Sequence, residues 1–181
     1  DFVATVTLCR PPNNFFSQAM IAELADAFEA LDEDLSCRSI VLAAQGKHFC
    51  AGADFASAQP GDSTGDLYCA AVRLFRIRKP IVAAVQGAAI GGGLGLAMAA
   101  DFRVAAPEAR FSANFARLGF HHGFGLSVTL PAAVGGQHAA ELLYTGRRIT
   151  GEEAAVIGLV DRVVPLADLH VAAHGFAAEI A

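Results

Sequence analysis

Short apolar runs alternating with amphipathic stretches predict an α/β fold for this chain, organised as a single domain over residues 1–181. Two observations carry that prediction. The runs at 40–44 and 81–85 are continuously apolar and rich in Val, Ile and Ala, as strands buried on both faces are. Between the apolar runs lie segments whose Leu, Ile, Phe and Ala recur at three- and four-residue spacing, with no fixed-period repeat and no second domain.

In order, residues 3–9 form a strand stopped by Arg10-Pro11-Pro12-Asn13-Asn14. Ser17 caps a helix to about Asp34, with Ile21, Leu24, Ala25, Phe28 and Leu31 on its inner face. A buried strand at 39–44 leads into a small-residue loop, 46–55. Residues 57–65, rich in Ser, Gly, Pro and Asp, read as an exposed, mobile linker. A helix at about 66–78 presents Leu67, Ala70, Ala71, Leu74 and Phe75 to the core, and its basic end carries Arg73, Arg76, Arg78 and Lys79. The strand at 81–85 enters a glycine turn and then a helix of small apolar residues. Strands follow at 102–105 and 111–112, then a second glycine-rich turn at 119–125 and short helices at about 126–134 and 136–144. Thr150-x-x-Glu153 has the form of a capping box opening another helix. A strand at 159–164 and a helix from 166 complete the series.

Composition excludes several classes. The net charge of −5 disfavours nucleic acid as a partner. No uninterrupted apolar run reaches the length of a membrane span, and no signal peptide is visible. Cys9, Cys37, Cys50 and Cys69 lack CxxC or Cys/His metal spacing, so they read as reduced thiols of a cytoplasmic protein with no metal site.

The chain's central chemical feature is Gly91-Gly92-Gly93 after the strand at 81–85. Consecutive glycines let backbone approach a ligand and leave free N–H groups at a helix start, where an anion or a developing oxyanion is favoured. A dinucleotide fingerprint does not fit, because with Gly91 and Gly93 as its first glycines the third falls on Leu96 and Asp101 comes too early for the acidic position. No Gly-Lys-Ser/Thr follows, which excludes a phosphate loop.

Phe49-Cys50-Ala51-Gly52-Ala53-Asp54 followed by Ala84-Val85-Gln86-Gly87-Ala88-Ala89-Ile90-Gly91-Gly92-Gly93 resembles the crotonase (enoyl-CoA hydratase/isomerase) superfamily. The likeness continues in order through Asp101, Phe111-Ser112, Leu118-Gly119, residues 143–149 and residues 154–160. It implies a spiral of ββα units with C-terminal helices, assembled as a trimer or a dimer of trimers, with the helical region that completes the trimer largely missing after Ala181. It also implies an acyl-CoA substrate, with coenzyme A entering as part of that substrate and no cofactor held permanently. The thioester oxygen would sit between the backbone N–H groups of Ala53 and Gly92, preorganised donors that stabilise an enolate. The loop of Ala51, Ala53, Asp54 and Phe55 would hold the adenine of coenzyme A, with Lys47, Arg10 and the basic helix end at 76–79 near its phosphates.

Two positions depart from the hydratase pattern. The glutamates that activate water and protonate the α-carbon in that branch fall here on Gly95 and Phe115, neither of which moves a proton. Ordinary hydration is therefore not expected, whereas C–C hydrolysis, decarboxylation and isomerisation stay open. The replacement bases are His121 and His122, in the glycine turn just beyond Phe115, with His122 preferred. His48 reads as structural, and His138, His170 and His174 read as surface or packing residues. Asn114 could hydrogen-bond a substrate, while Asp101 fixes backbone and Glu108 is exposed. The loss of both carboxylates suits a bulky or aromatic acyl group. The competing class is a catalytically silent acyl-CoA-binding or scaffolding member of the same fold.

Overall fold

The computed structural model describes residues 2–54 and 63–181. In chain order the elements are β1 (Val3–Leu8), α1 (Gln18–Glu33), β2 (Ser39–Ala44), α2 (Thr64–Leu74), β3 (Ile81–Val85), β4 (Ala88–Ile90) and α3 (Gly92–Ala97). Then come β5 (Phe102–Ala105), β6 (Arg110–Ser112), a 3₁₀ turn (Asn114–Leu118), α4 (Leu126–Thr145), β7 (Ile149–Thr150), α5 (Gly151–Val156), β8 (Arg162–Val163), a 3₁₀ turn (Leu166–Asp168) and α6 (Leu169–Ile180). The expected α/β class holds.

Five strands form a parallel sheet in the order β1-β2-β3-β5-β8. Its two faces divide by the alternation of strand side chains. Ile40, Leu42, Ile81, Ala83 and Val85 join the main core with α1, while Val41, Ala43, Val82, Ala84 and Val104 meet Leu169, Ala173 and Ala177 of α6. Cover on both faces explains why β3, and β2 after Ser39, are wholly apolar.

The second sheet, β4-β6-β7, was not legible as a sheet. Where the sequence indicates one turn between strand and helix, the chain turns at Gln86-Gly87, lays down β4 beside β6, and only then enters α3. The last strand is likewise shorter than expected, at Arg162–Val163, with Leu159 and Val160 buried in the core ahead of it. The break expected near residue 135 is present: Gly135 is non-helical (φ 77°, ψ 160°) within α4.

Caps behave as their residue types require. Ser17 accepts from Met20 N–H to open α1, and Thr150 and Glu153 complete both halves of the capping box on α5. Helix α2 begins at Thr64 under a Ser63 cap and ends at Leu74, four residues before the expected end. Residues 63–65 are exposed, and the rest of the expected linker lies outside the described residues.

The basic end of α2 serves the fold rather than a ligand. Arg73 pairs with Asp26 and Glu29, Arg78 pairs with Asp32 and Glu33, and Lys79 donates to the carbonyls of Leu31 in α1 and of its C-cap Asp34. For Arg78 and Lys79 this corrects the expectation of a place near a phosphate. Arg10 is also engaged, donating to Phe15 carbonyl and Ser17 Oγ and lying 3.9 Å from Asp54.

Close backbone contact fixes the start of α3. A Cβ at Gly93 would stand 2.1 Å from the Cys50 carbonyl oxygen and 2.8 Å from its carbon. Gly93→Ala should therefore lower stability by about 3 kcal/mol, read as a lower urea midpoint at unchanged slope.

No helix among the described residues is long and apolar enough to cross a membrane. Nor do the described residues hold a group of three or more His, Cys, Asp or Glu able to bind a metal ion.

Candidate active site

Two short parallel bridges bring the loop after β2 against the start of α3. Cys50 N–H donates to Ala88 carbonyl at 2.9 Å and Ile90 N–H returns to Cys50 carbonyl at 3.1 Å. On the loop's other side, Phe16 N–H donates to Gly52 carbonyl at 3.0 Å and Asp54 N–H to Phe16 carbonyl at 2.9 Å. In such a bridge the residue between the two bonded neighbours turns its own N–H the opposite way. Ala53 N–H thus points away from Phe16, and it has no acceptor among the described residues.

Gly92 supplies a second unpaired donor. Gly91 N–H goes to Ser112 carbonyl at 2.8 Å, but Gly92, the first residue of α3, has no acceptor for its N–H among the described residues. A helix start leaves such donors by construction. Helix α3 has only six residues, so the amides matter here rather than a long helix dipole. A Cβ at Gly92 would lie 2.5 Å from Phe16 Cζ, so any other residue must displace that ring.

Ala53 and Gly92 open on one cavity of about 460 Å³. Its walls are largely aromatic, from Phe15, Phe16, Tyr68, Phe115, Phe120 and Phe124. Thr64, Asn114 and His121 supply polar side chains, and no Lys, Arg, Asp or Glu lines it among the described residues. Asn114 and Phe115 reach the cavity from the 3₁₀ turn after β6, an element that residue periodicity did not announce.

The two candidate histidines separate. His121 lines the cavity, whereas the preferred His122 is not among its lining residues. Their rings pack 4.1 Å apart at 30°. His121 Nδ1 is 2.9 Å from the His122 carbonyl. A carbonyl only accepts, so Nδ1 carries a proton, and in the neutral ring the lone pair then lies on Nε2. Burial, and then the neighbouring His121, hold His122 below the usual imidazole range.

The other expected site residues divide between two hollows. Ala51 lines the cavity and also an adjacent groove of about 800 Å³, in which Lys47 is joined by Arg110 and Arg148. Phe15, Ala51, Ile90 and Asn114 are common to both. Arg110 and Arg148 were missed because they are remote in sequence from the glycine loops. Asp54 lies beside Arg10 rather than in either lining, and Phe55 is outside the described residues.

His48 is structural, as expected. Its Nδ1 accepts Ala88 N–H at 3.0 Å, and burial, then Lys47, lower its pKa from 6.5. A histidine depressed in the folded state takes up its proton more readily when unfolded. Stability from this group is therefore complete above pH 6.5 and lost as pH falls below it. The melting temperature should drop on acidification through that range. It should drop less in His48→Asn, whose Oδ1 can accept the same bond without titrating.

Comparison with known proteins agrees with this architecture. The sequence profile of the enoyl-CoA hydratase/isomerase family matches residues 1–181. The chain belongs to that family. A probable enoyl-CoA hydratase of Bacillus subtilis (strain 168) is 39% identical over 167 residues, covering 88% of this chain and 65% of the relative. A probable mitochondrial enoyl-CoA hydratase of Dictyostelium discoideum is 39% identical over 184 residues, covering 99% of this chain and 66% of the relative. The chain thus spans slightly under two thirds of the length of these curated relatives. The crystal structure of an enoyl-CoA hydratase from Mycobacterium smegmatis superposes with a TM-score of 0.85 at 33% identity, covering 97% of this chain and 72% of that one. Membership in the family, with these superpositions, establishes the α/β crotonase-like fold.

Proposed function

We propose that this family member acts on acyl-CoA thioesters by forming an enolate, with Ala53 and Gly92 N–H as the oxyanion hole and His121 as the base. The observation that carries the reading is that two backbone donors without acceptors among the described residues and one imidazole line the same cavity. Negative charge moves onto the thioester oxygen as the α-proton leaves, and fixed amides stabilise that charge without reorganising. The proton passes from the α-carbon to His121 Nε2, the nitrogen left free by the Nδ1 bond to the His122 carbonyl. His122 acts through that carbonyl as a positioning residue rather than as the base.

The relatives are named hydratases, yet water addition is not the reaction proposed here. Gly95 and Phe115 stand where the resemblance calls for two carboxylates, and the cavity lining offers no other carboxylate among the described residues. An enolate held in such a hole serves isomerisation, decarboxylation or C–C hydrolysis. The groove of Lys47, Arg110 and Arg148 suits the phosphates of coenzyme A, whose pantetheine would cross by Ala51 into the cavity. Exposed Leu118, Phe120 and Tyr144 suit packing between copies in the trimer or hexamer that the family resemblance implies.

The test is deuterium uptake at the α-carbon of a panel of acyl-CoAs in D₂O. Exchange that depends on the protein supports enolate formation. Thioesters that bind without exchange, decarboxylation or hydrolysis would move the protein to the silent, acyl-CoA-binding class.

A further inference from the structure

Phe124 has an unusual conformation for its residue type. It sits between Gly123 and Gly125 with φ 54°, in the left-handed region that side chains other than Gly, Asn and Asp rarely adopt. Such conformations persist where surrounding packing over-determines them, and they cluster at ligand sites. Here the packing is evident. A Cβ at Gly95 would stand 2.5 Å from Phe124 Cβ, 2.7 Å from its carbonyl oxygen and 2.9 Å from its Cδ1. Phe124 therefore occupies the space into which any side chain at 95 would project. Its ring is buried, 5.5 Å from Phe16 and 6.4 Å from Phe75 between centroids. Its Cδ2 would lie 3.6 Å from a Cβ at Gly92, beside the candidate oxyanion donor.

We propose that Phe124 is the specificity-determining residue of this cavity, and that the acyl group it selects is an uncharged aromatic one. The proposal rests on the acyl-CoA reading above and adds the acyl class to it. With the space over Gly95 filled by a phenyl ring and no Lys, Arg, Asp or Glu among the described lining residues, a charged acyl tail has no counter-ion. Six aromatic side chains instead offer ring faces and edges to a flat apolar group. The polar side chains Thr64, Asn114 and His121 are too few to satisfy a polyhydroxylated or carboxylated acyl group as well as the thioester.

Calorimetric binding of phenylacetyl-CoA, butyryl-CoA and succinyl-CoA, all of which carry an α-proton, tests this. Phenylacetyl-CoA should bind about tenfold more tightly than butyryl-CoA, since one or two favourable ring contacts are worth that ratio. Succinyl-CoA should bind most weakly of the three. In Phe124→Leu, which keeps an apolar side chain, the phenylacetyl-to-butyryl preference should fall below about threefold. A purely structural role would weaken both esters alike and leave the ratio unchanged, which overturns the assignment to Phe124. If that variant does not fold, the parent ratio still decides: butyryl-CoA or succinyl-CoA binding as tightly as phenylacetyl-CoA overturns the aromatic class. Failure of all three esters to bind would instead overturn the acyl-CoA reading and this inference with it.

Discussion

Gly92→Pro and Ala53→Pro should each reduce thioester turnover by about 10²–10³-fold, the loss typical of one oxyanion-hole donor. Each substitution deletes one N–H that has no partner among the described residues, so no hydrogen bond among those residues is broken. Proline is tolerated at the first position of a helix, which is where Gly92 stands. The two variants differ in their side effects. At 92 a new Cβ must displace the Phe16 ring, whereas residue 53 already carries a Cβ, so concordant losses isolate the donors from the packing. Melting temperatures identify folded variants. Unchanged kcat in a folded Ala53→Pro protein would remove the oxyanion hole from the mechanism.

The glycine loop that supplies one of these donors was legible in the sequence because its chemistry is local. Small residues at 91–93 and 51–53 announce close backbone approach, and the structure meets it at Gly93 against the Cys50 carbonyl. The buried strands and the Ser17 and Thr150 caps were legible for the same reason, since apolar runs and cap residues act over a few positions.

What the sequence concealed depends on tertiary pairing. The three-residue strand β4 has no periodicity to detect, and it exists because β6 and Cys50 give its backbone partners. The charges at 73–79 resemble an anion site until the acidic face of α1 is placed opposite them. The role of Phe124 is equally invisible, because the space above Gly95 that it fills is created by a segment nearly thirty positions away.

Choosing between His121 and His122 is the sharpest case of this limit, and it carries the second large expected effect. Adjacent residues in an aperiodic turn have no facing pattern, so only the fold shows that His121 lines the cavity while His122 lends it a carbonyl. His121→Ala should therefore lower α-proton exchange by about 10²–10⁴-fold, the usual range for a general base. His122→Ala keeps the carbonyl and removes only the stacked ring, so its loss should stay within about tenfold. The loss at 121 should fall on kcat with substrate Kd little changed, because the imidazole meets the α-proton rather than the coenzyme A moiety. Exchange abolished by His122→Ala and retained in His121→Ala would reverse the roles and require the turn to rearrange when substrate binds. Exchange retained in both folded variants would remove histidine from the proton step. Asn114 and Thr64 would then be the remaining polar side chains, besides the Tyr68 hydroxyl, among the described lining residues. None of these carries an imidazole or a carboxylate, so retained exchange would require a base from outside the described lining residues.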